Sequence, residues 1–187
     1  MDTFYHSVTF KDASQDSIAS ALQEVGLRAY LTPEIDGAVV AFCPMEEFDR
    51  HVQSMPSVSK HCGCRAAMDV AVFDDDVLLL FVYANGRRLL YIGVPENVVH
   101  EPIESGESAP DSLDGNCVPI ICNLFSPSAS PESVLGILED DYICQSDRHA
   151  DLLGLLGLPD AAICGYELIE EGSLPADLTL KDLRHVS

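Results

Sequence analysis

Histidine and cysteine crowd into one short stretch, Lys60-His61-Cys62-Gly63-Cys64-Arg65. Imidazole and thiolate are the ligands that hold zinc and the groups that carry redox chemistry. A structural zinc site needs four of them in a tetrahedron, usually supplied by a pair of C-x₂₋₄-C knuckles. Here Cys62 and Cys64 are separated by a single residue and no second knuckle follows. Further ligands would have to be single residues drawn from Cys43, His51, Cys117, Cys122, Cys144, His149 and Cys164. The best set on spacing is His61, Cys62 and Cys64 with Cys144 and His149, the last two straddling a helix start. That pattern is unspecific, so the primary expectation is no dedicated metal site and no cofactor. Thioredoxin-type chemistry fits no better, because it uses C-x-x-C at a helix N-terminus and this pair precedes a strand. Lys60 and Arg65 would favour a thiolate, which makes Cys62 and Cys64 the reactive-thiol candidates. The simpler expectation is that Gly63 turns the chain from helix to strand with both thiols tucked beneath it.

Other catalytic signatures are missing. There is no G-x-S-x-G, no H-E-x-x-H, no Walker A loop and no G-x-G-x-x-G opening a helix. Of the six histidines, His6 falls on the buried face of a strand and is expected to be a hydrogen-bonded core residue. His149, beside Asp147 and Arg148, is expected in solvent. The clusters Asp74-Asp75-Asp76 and Glu139-Asp140-Asp141 lack the alternating acids of a calcium loop, and residues 111–116 have the glycine at the wrong spacing.

The elements that must position these residues follow from periodicity and punctuation. Phe4, His6, Val8 and Phe10 alternate with Tyr5, Ser7 and Thr9, which predicts a first strand with one buried side. A helix follows, capped by Ser14 or Asp12, with Ile18, Leu22 and Val25 on one stripe and Gly26 as its stop. Two short strands, RAYLT and AVVAFC, come next. A second helix is expected over 45–55, ended by Pro56. AAMDVAVF, DVLLLFVYA and RRLLYIGV read as consecutive antiparallel strands, turning at Asp74-Asp75-Asp76 and at Asn85-Gly86. The second of these strands is apolar on both faces and should be covered twice. After residues 95–116, helices are expected in VPIICNLF, in SPESVLGILED with Ser130 as N-cap, and in DRHADLLGLLG capped by Ser146; AICGYELI reads as a last strand. The fold class is α+β: a mainly antiparallel sheet with helices packed on it and a long acidic, proline-rich loop after the central strands. One globular domain is expected over 1–187, with 95–116 as loop or insertion and 173–187 as a polar C-terminal tail.

Hydrophobic residues make up 47% of the 187 positions and charged ones 22%, ample for a core. Seven cysteines, an odd number in mostly apolar settings, fit a reducing cytoplasm. The start of the chain lacks a secretory pattern and the longest apolar run, VLLLFVYA, is too short to span a bilayer, so a cytoplasmic protein off the membrane is expected.

Charge is the strongest signal. The net value is −21, from 31 acids against 10 Lys and Arg. Residues 1–88 carry −6 and residues 89–187 carry −15, and no Lys or Arg lies between Arg88 and Arg148. Such a surface is repelled by nucleic-acid phosphate and anionic membranes and favours a basic protein partner. The expectation is a non-enzymatic acidic binder, in its most concrete form an inhibitor or immunity-type protein occluding a cationic cleft. Its contacts would be Asp74, Asp75, Asp76, Glu96, Glu101, Glu104, Glu107, Asp111, Asp114, Glu139, Asp140 and Asp141, with Tyr91, Val98, Val99 or Ile103 as apolar anchors. Two alternatives stand beside it: a thiol-based or metal-binding enzyme or sensor using Cys62, Cys64 and a nearby histidine, and a structural subunit of a larger assembly.

Overall fold

Strands that alternate apolar residues toward both sides of the pleat produce a sheet that must be covered twice. A computed structural model of the chain describes residues 4–95, 117–175 and 178–187 and shows that outcome. Its strands are β1 (Tyr5–Lys11), β2 (Ala29–Leu31), β3 (Ala38–Cys43), β4 (Ala66–Phe73), β5 (Val77–Ala84), β6 (Arg87–Val94) and β7 (Arg184–Val186). They form one antiparallel sheet in the order β6-β5-β4-β1-β3-β2-β7. On one face lie α1 (Gln15–Val25) and α2 (Phe48–Cys62), packed on Val8, Phe10, Ala41, Ala71 and Phe81. On the other lie α3 (Cys117–Phe125), α4 (Pro131–Glu139), α5 (Gln145–Leu156) and α6 (Tyr166–Glu170), packed on Tyr5, Phe42, Val70 and Leu80. The α+β class is as expected. No helix among the described residues is long and apolar enough to cross a membrane.

Local signals are obeyed where they are strong. Ser14 caps α1 by accepting from the Ser17 amide, and Ser130 caps α4 in the same way ahead of Pro131. Asp74 and Asp75, then Asn85 and Gly86, adopt the paired positive φ angles of tight hairpin turns.

Four expectations are corrected. β1 is buried on both faces, because Ser7 donates to the Ala162 carbonyl at 2.7 Å and so tolerates the second helical layer. AICGYELI is not a strand: a 3₁₀ turn over Asp160–Ala162 precedes α6. Gly165, between them, crosses β1 so closely that a Cβ would sit 3.2 Å from the Phe4 carbonyl oxygen. Within the polar tail, β7 pairs with β2, placing Val186 opposite Ala29.

The fourth correction is α2, which runs through Pro56 to Cys62. Proline has no amide to give the carbonyl four residues earlier, here that of Val52. The Tyr83 hydroxyl, rising from β5, donates to that carbonyl at 3.4 Å instead. A tertiary donor thus stands in for the missing helical one. Tyr83→Phe should cost about 1–3 kcal/mol, the usual penalty for a buried polar group left unpaired. In a Pro56→Ala background, where an amide faces Val52 again, the same change should cost about 1 kcal/mol less. Urea unfolding of the four proteins measures this, and equal costs in both backgrounds would contradict the substitution.

Candidate functional site

The stretch rich in cysteine lands in the last turn of α2, and Gly63, at φ +69°, stops the helix. Cys62 and Cys64 are only 7% and 6% exposed, and both thiols donate to the Ser59 carbonyl, at 3.7 and 3.6 Å. Cys64 also hydrogen-bonds Cys62, which lowers the Cys62 pKa and holds the Cys64 proton well above its ordinary range. A helix C-terminus presents carbonyls, the negative end of the dipole, and opposes a thiolate there. His61 is exposed beside Ser57 and Glu24. Cys144 and His149 are not near these residues: Cys62 and Cys64 pack in the layer of α1 and α2, whereas His149 packs on Tyr5 across the sheet. The five residues grouped by spacing therefore do not converge on one ion.

Nor is His149 in solvent. It is buried, with Nδ1 2.9 Å from the Tyr5 hydroxyl and the rings stacked. Burial pushes its pKa down to about 3.

The two described acidic clusters do meet. Asp76 and Glu139, Asp140 and Asp141 line one cleft of about 380 Å³, together with Tyr142 and Pro95. Helix α5 fixes both walls. Ser146, the expected cap, lies inside the helix, and the side chain of Cys144 at the cap position makes no bond; the Gln145 amide donates to the Asp75 carbonyl and the Ser146 amide to the Asp75 carboxylate, each at 2.9 Å. An acid on a neighbouring turn thus caps the positive end of the helix. Asp75 is committed to that internal role. One turn into α5, the buried Arg148 donates to the carbonyls of Ile137, Leu138 and Asp140 at 2.5–2.6 Å and lies over the Tyr142 ring at 4.7 Å. Its charge is spent on the C-terminal carbonyls of α4. Asp74, Asp76, Glu139, Asp140 and Asp141 are exposed. Glu96, Glu101, Glu104, Glu107, Asp111 and Asp114 lie outside the described residues, as do Val98, Val99 and Ile103. Tyr91 is no surface anchor: it is buried and stacked on Phe81 with ring centroids 4.5 Å apart.

A third group of side chains was not assembled from the sequence. His6 on β1 and Cys43 on β3 are paired across neighbouring strands, and His51 from α2 closes over them. One ligand atom from each of the three lies within 4.8 Å of the others. Asp69 on β4, diagonal to His6, places a carboxylate oxygen 2.8 Å from His6 Nε2. All four residues are 0% exposed. His6 Nδ1, both ring nitrogens of His51 and the second oxygen of Asp69 have no hydrogen-bond partner. Burial, reinforced by the facing His6, drives the His51 pKa down to about 2. Burial and then the Asp69 and Glu47 carboxylates push the Cys43 thiol up. Two imidazoles and a thiol in a dry cluster form a set of soft and borderline ligands, with the Asp69 carboxylate hydrogen-bonded to one of the imidazoles. The visible clue in the sequence was Asp69, a charge inside the otherwise apolar AAMDVAVF.

No protein-family model, curated protein or solved structure matches this chain.

Two outcomes follow. Cys62 and Cys64 should be alkylated far more slowly in the native protein than in urea, read by peptide mass spectrometry; equal rates would restore the reactive-thiol reading. His149 stays neutral in the fold, so above about pH 6.5 its contribution to stability is flat. Below that, only the unfolded chain takes up the proton, and stability falls until about pH 3. His149→Gln should remove up to one proton from the slope, about 1.4 kcal/mol per pH unit, in urea midpoints between pH 7 and 4.5. An unchanged slope would show that His149 titrates normally.

Proposed function

We propose that this chain is a non-enzymatic acidic protein that binds a basic protein partner, acting as an inhibitor or immunity-type protein that occludes a cationic cleft. One observation carries the reading. Asp76 and the acids 139–141, over sixty positions apart in sequence, share one cleft, and Arg148, the only Lys or Arg lining it among the described residues, is turned inward onto carbonyls. Arg148 offsets only part of the charge of Asp140 and Asp141, so the field there stays negative and supports electrostatic steering of a basic surface. Ile143, 95% exposed and two residues beyond Asp141, supplies an apolar anchor of the kind that is buried at the centre of an interface and ringed by polar contacts.

Parallel affinity captures from the native host's lysate test this, one with the wild-type protein and one with Asp76→Asn, Glu139→Gln, Asp140→Asn and Asp141→Asn combined. A basic protein should stay on the wild-type column at low salt, elute with moderate salt, and be lost from the variant. With that protein purified, the variant should associate about tenfold more slowly or worse, while Ile143→Ala should mainly speed dissociation. Equal retention on both columns, or retention indifferent to salt, would refute the electrostatic mechanism.

A further inference from the structure

A buried polar atom without a partner costs about 1–3 kcal/mol, and native proteins keep few of them. Here four such atoms fall on three touching residues, His6, His51 and Asp69, beside the Cys43 thiol. Random misfit would scatter them; their grouping, with one ligand atom each of His6, Cys43 and His51 within 4.8 Å of the others, calls for an occupant that satisfies several at once. The occupant must be small, because all the residues are fully buried. A cation fits such a place, because His6 Nδ1, one nitrogen of His51 and the Cys43 sulfur can each offer it a lone pair.

We propose that His6, Cys43 and His51 bind one zinc ion between the sheet and the start of α2, with a water enclosed beside it as the fourth ligand. The donor set decides the class of metal. Imidazole and thiolate suit zinc, whereas calcium and magnesium require carboxylate and carbonyl oxygens. In a tetrahedral zinc site the ligand atoms lie about 3.3–3.7 Å apart, given Zn–N near 2.0 Å and Zn–S near 2.3 Å. The three here, all within 4.8 Å, need to contract by at most about 1.5 Å. Asp69 is not one of the three. Its place is behind His6, where it accepts a hydrogen bond from Nε2–H and leaves Nδ1, which has no other partner, with a lone pair for the metal. A carboxylate holding the far nitrogen of a metal-bound histidine is the usual support for such a ligand.

Charge balance points the same way. Binding replaces the Cys43 thiol proton, released to solvent, with the metal ion. Zn²⁺, the Cys43 thiolate and the Asp69 carboxylate then sum to zero with both imidazoles neutral, which removes the main objection to burying charge. The other charges that act on the group are Glu47, whose carboxylate lies 3.9 Å from His51 Nε2, Arg28, which Glu46 and Glu47 hold at the surface, Arg50 on α2 and Glu167 on α6. This site lies on the face of α1 and α2, so it stands or falls separately from the acidic cleft on the face of α4 and α5.

Full burial dictates the form of the test. The protein is unfolded in urea with chelator, freed of chelator, and refolded with cobalt(II), so that entry into the folded core is not required. Wild type should take up one cobalt, with the strong visible bands of a tetrahedral ion and a near-ultraviolet thiolate band, both abolished by zinc. Cys43→Ala should lose the thiolate band and His51→Leu the tetrahedral spectrum, with circular dichroism reporting the fold. Asp69→Asn should weaken zinc about 10- to 100-fold in a chelator competition. Cys62→Ser with Cys64→Ser should leave the spectrum intact, and its loss in that variant would place the metal at the other cysteines and overturn the assignment. So would a wild-type protein showing only the pale spectrum of cobalt on surface carboxylates.

Discussion

A sheet covered on both faces denies its strand side chains access to water, and that constraint governs the polar chemistry of this chain. Every hydroxyl, imidazole or carbonyl within the sandwich has to find a partner inside it. Ser7 reaches the Ala162 carbonyl, Tyr5 meets His149, and Tyr83 supplies the donor that Pro56 denies to Val52. Each contact joins a strand to an element on one of the two covering layers, so satisfying a polar group also fixes a helix against the sheet. The group around His6 and His51 is the place where this accounting fails for protein atoms alone. That failure, and not any motif, makes it the point of chemical interest in the core.

The same economy organises the charge. With so few cations available, the fold uses them on its own carbonyls and acids: Arg148 on the end of α4, Arg28 on Glu46 and Glu47, Arg184 on Asp16. Helix α5 is held at its start by Asp75 and grips α4 through Arg148. The position of both acidic clusters therefore rests on one helix. The acids that remain exposed around the cleft sit on segments positioned by the Asp75 cap and by the Arg148 bonds to backbone carbonyls, which orders the negative surface without pairing its carboxylates.

Much of the fold was legible because its signals are local. Asn85-Gly86, the Ser130-Pro131 helix start, and Gly26, Gly63 and Gly157 as helix stops depend only on backbone angles within a few residues. The errors share a different cause. Pro56 ends a helix on local grounds, yet Tyr83, twenty-seven positions away, makes continuation tolerable. Ser7 and Thr9 look like a solvent face, yet a second layer covers them.

The sequence by itself determined the α+β class, the consecutive hairpins of β4, β5 and β6, the Ser14 and Ser130 caps and the placement of Cys62 and Cys64 in a helix-to-strand turn. Each follows from propensity, period and turn chemistry acting over short range. Only the tertiary structure decided which distant residues meet. It joined Asp76 to the acids 139–141, separated His149 from Cys62 and Cys64, and gathered His6, Cys43, His51 and Asp69. The physical reason is strand register: whether His6 stands opposite Cys43 depends on how β1 and β3 align, and a slip of one residue would send either side chain to the opposite face of the sheet.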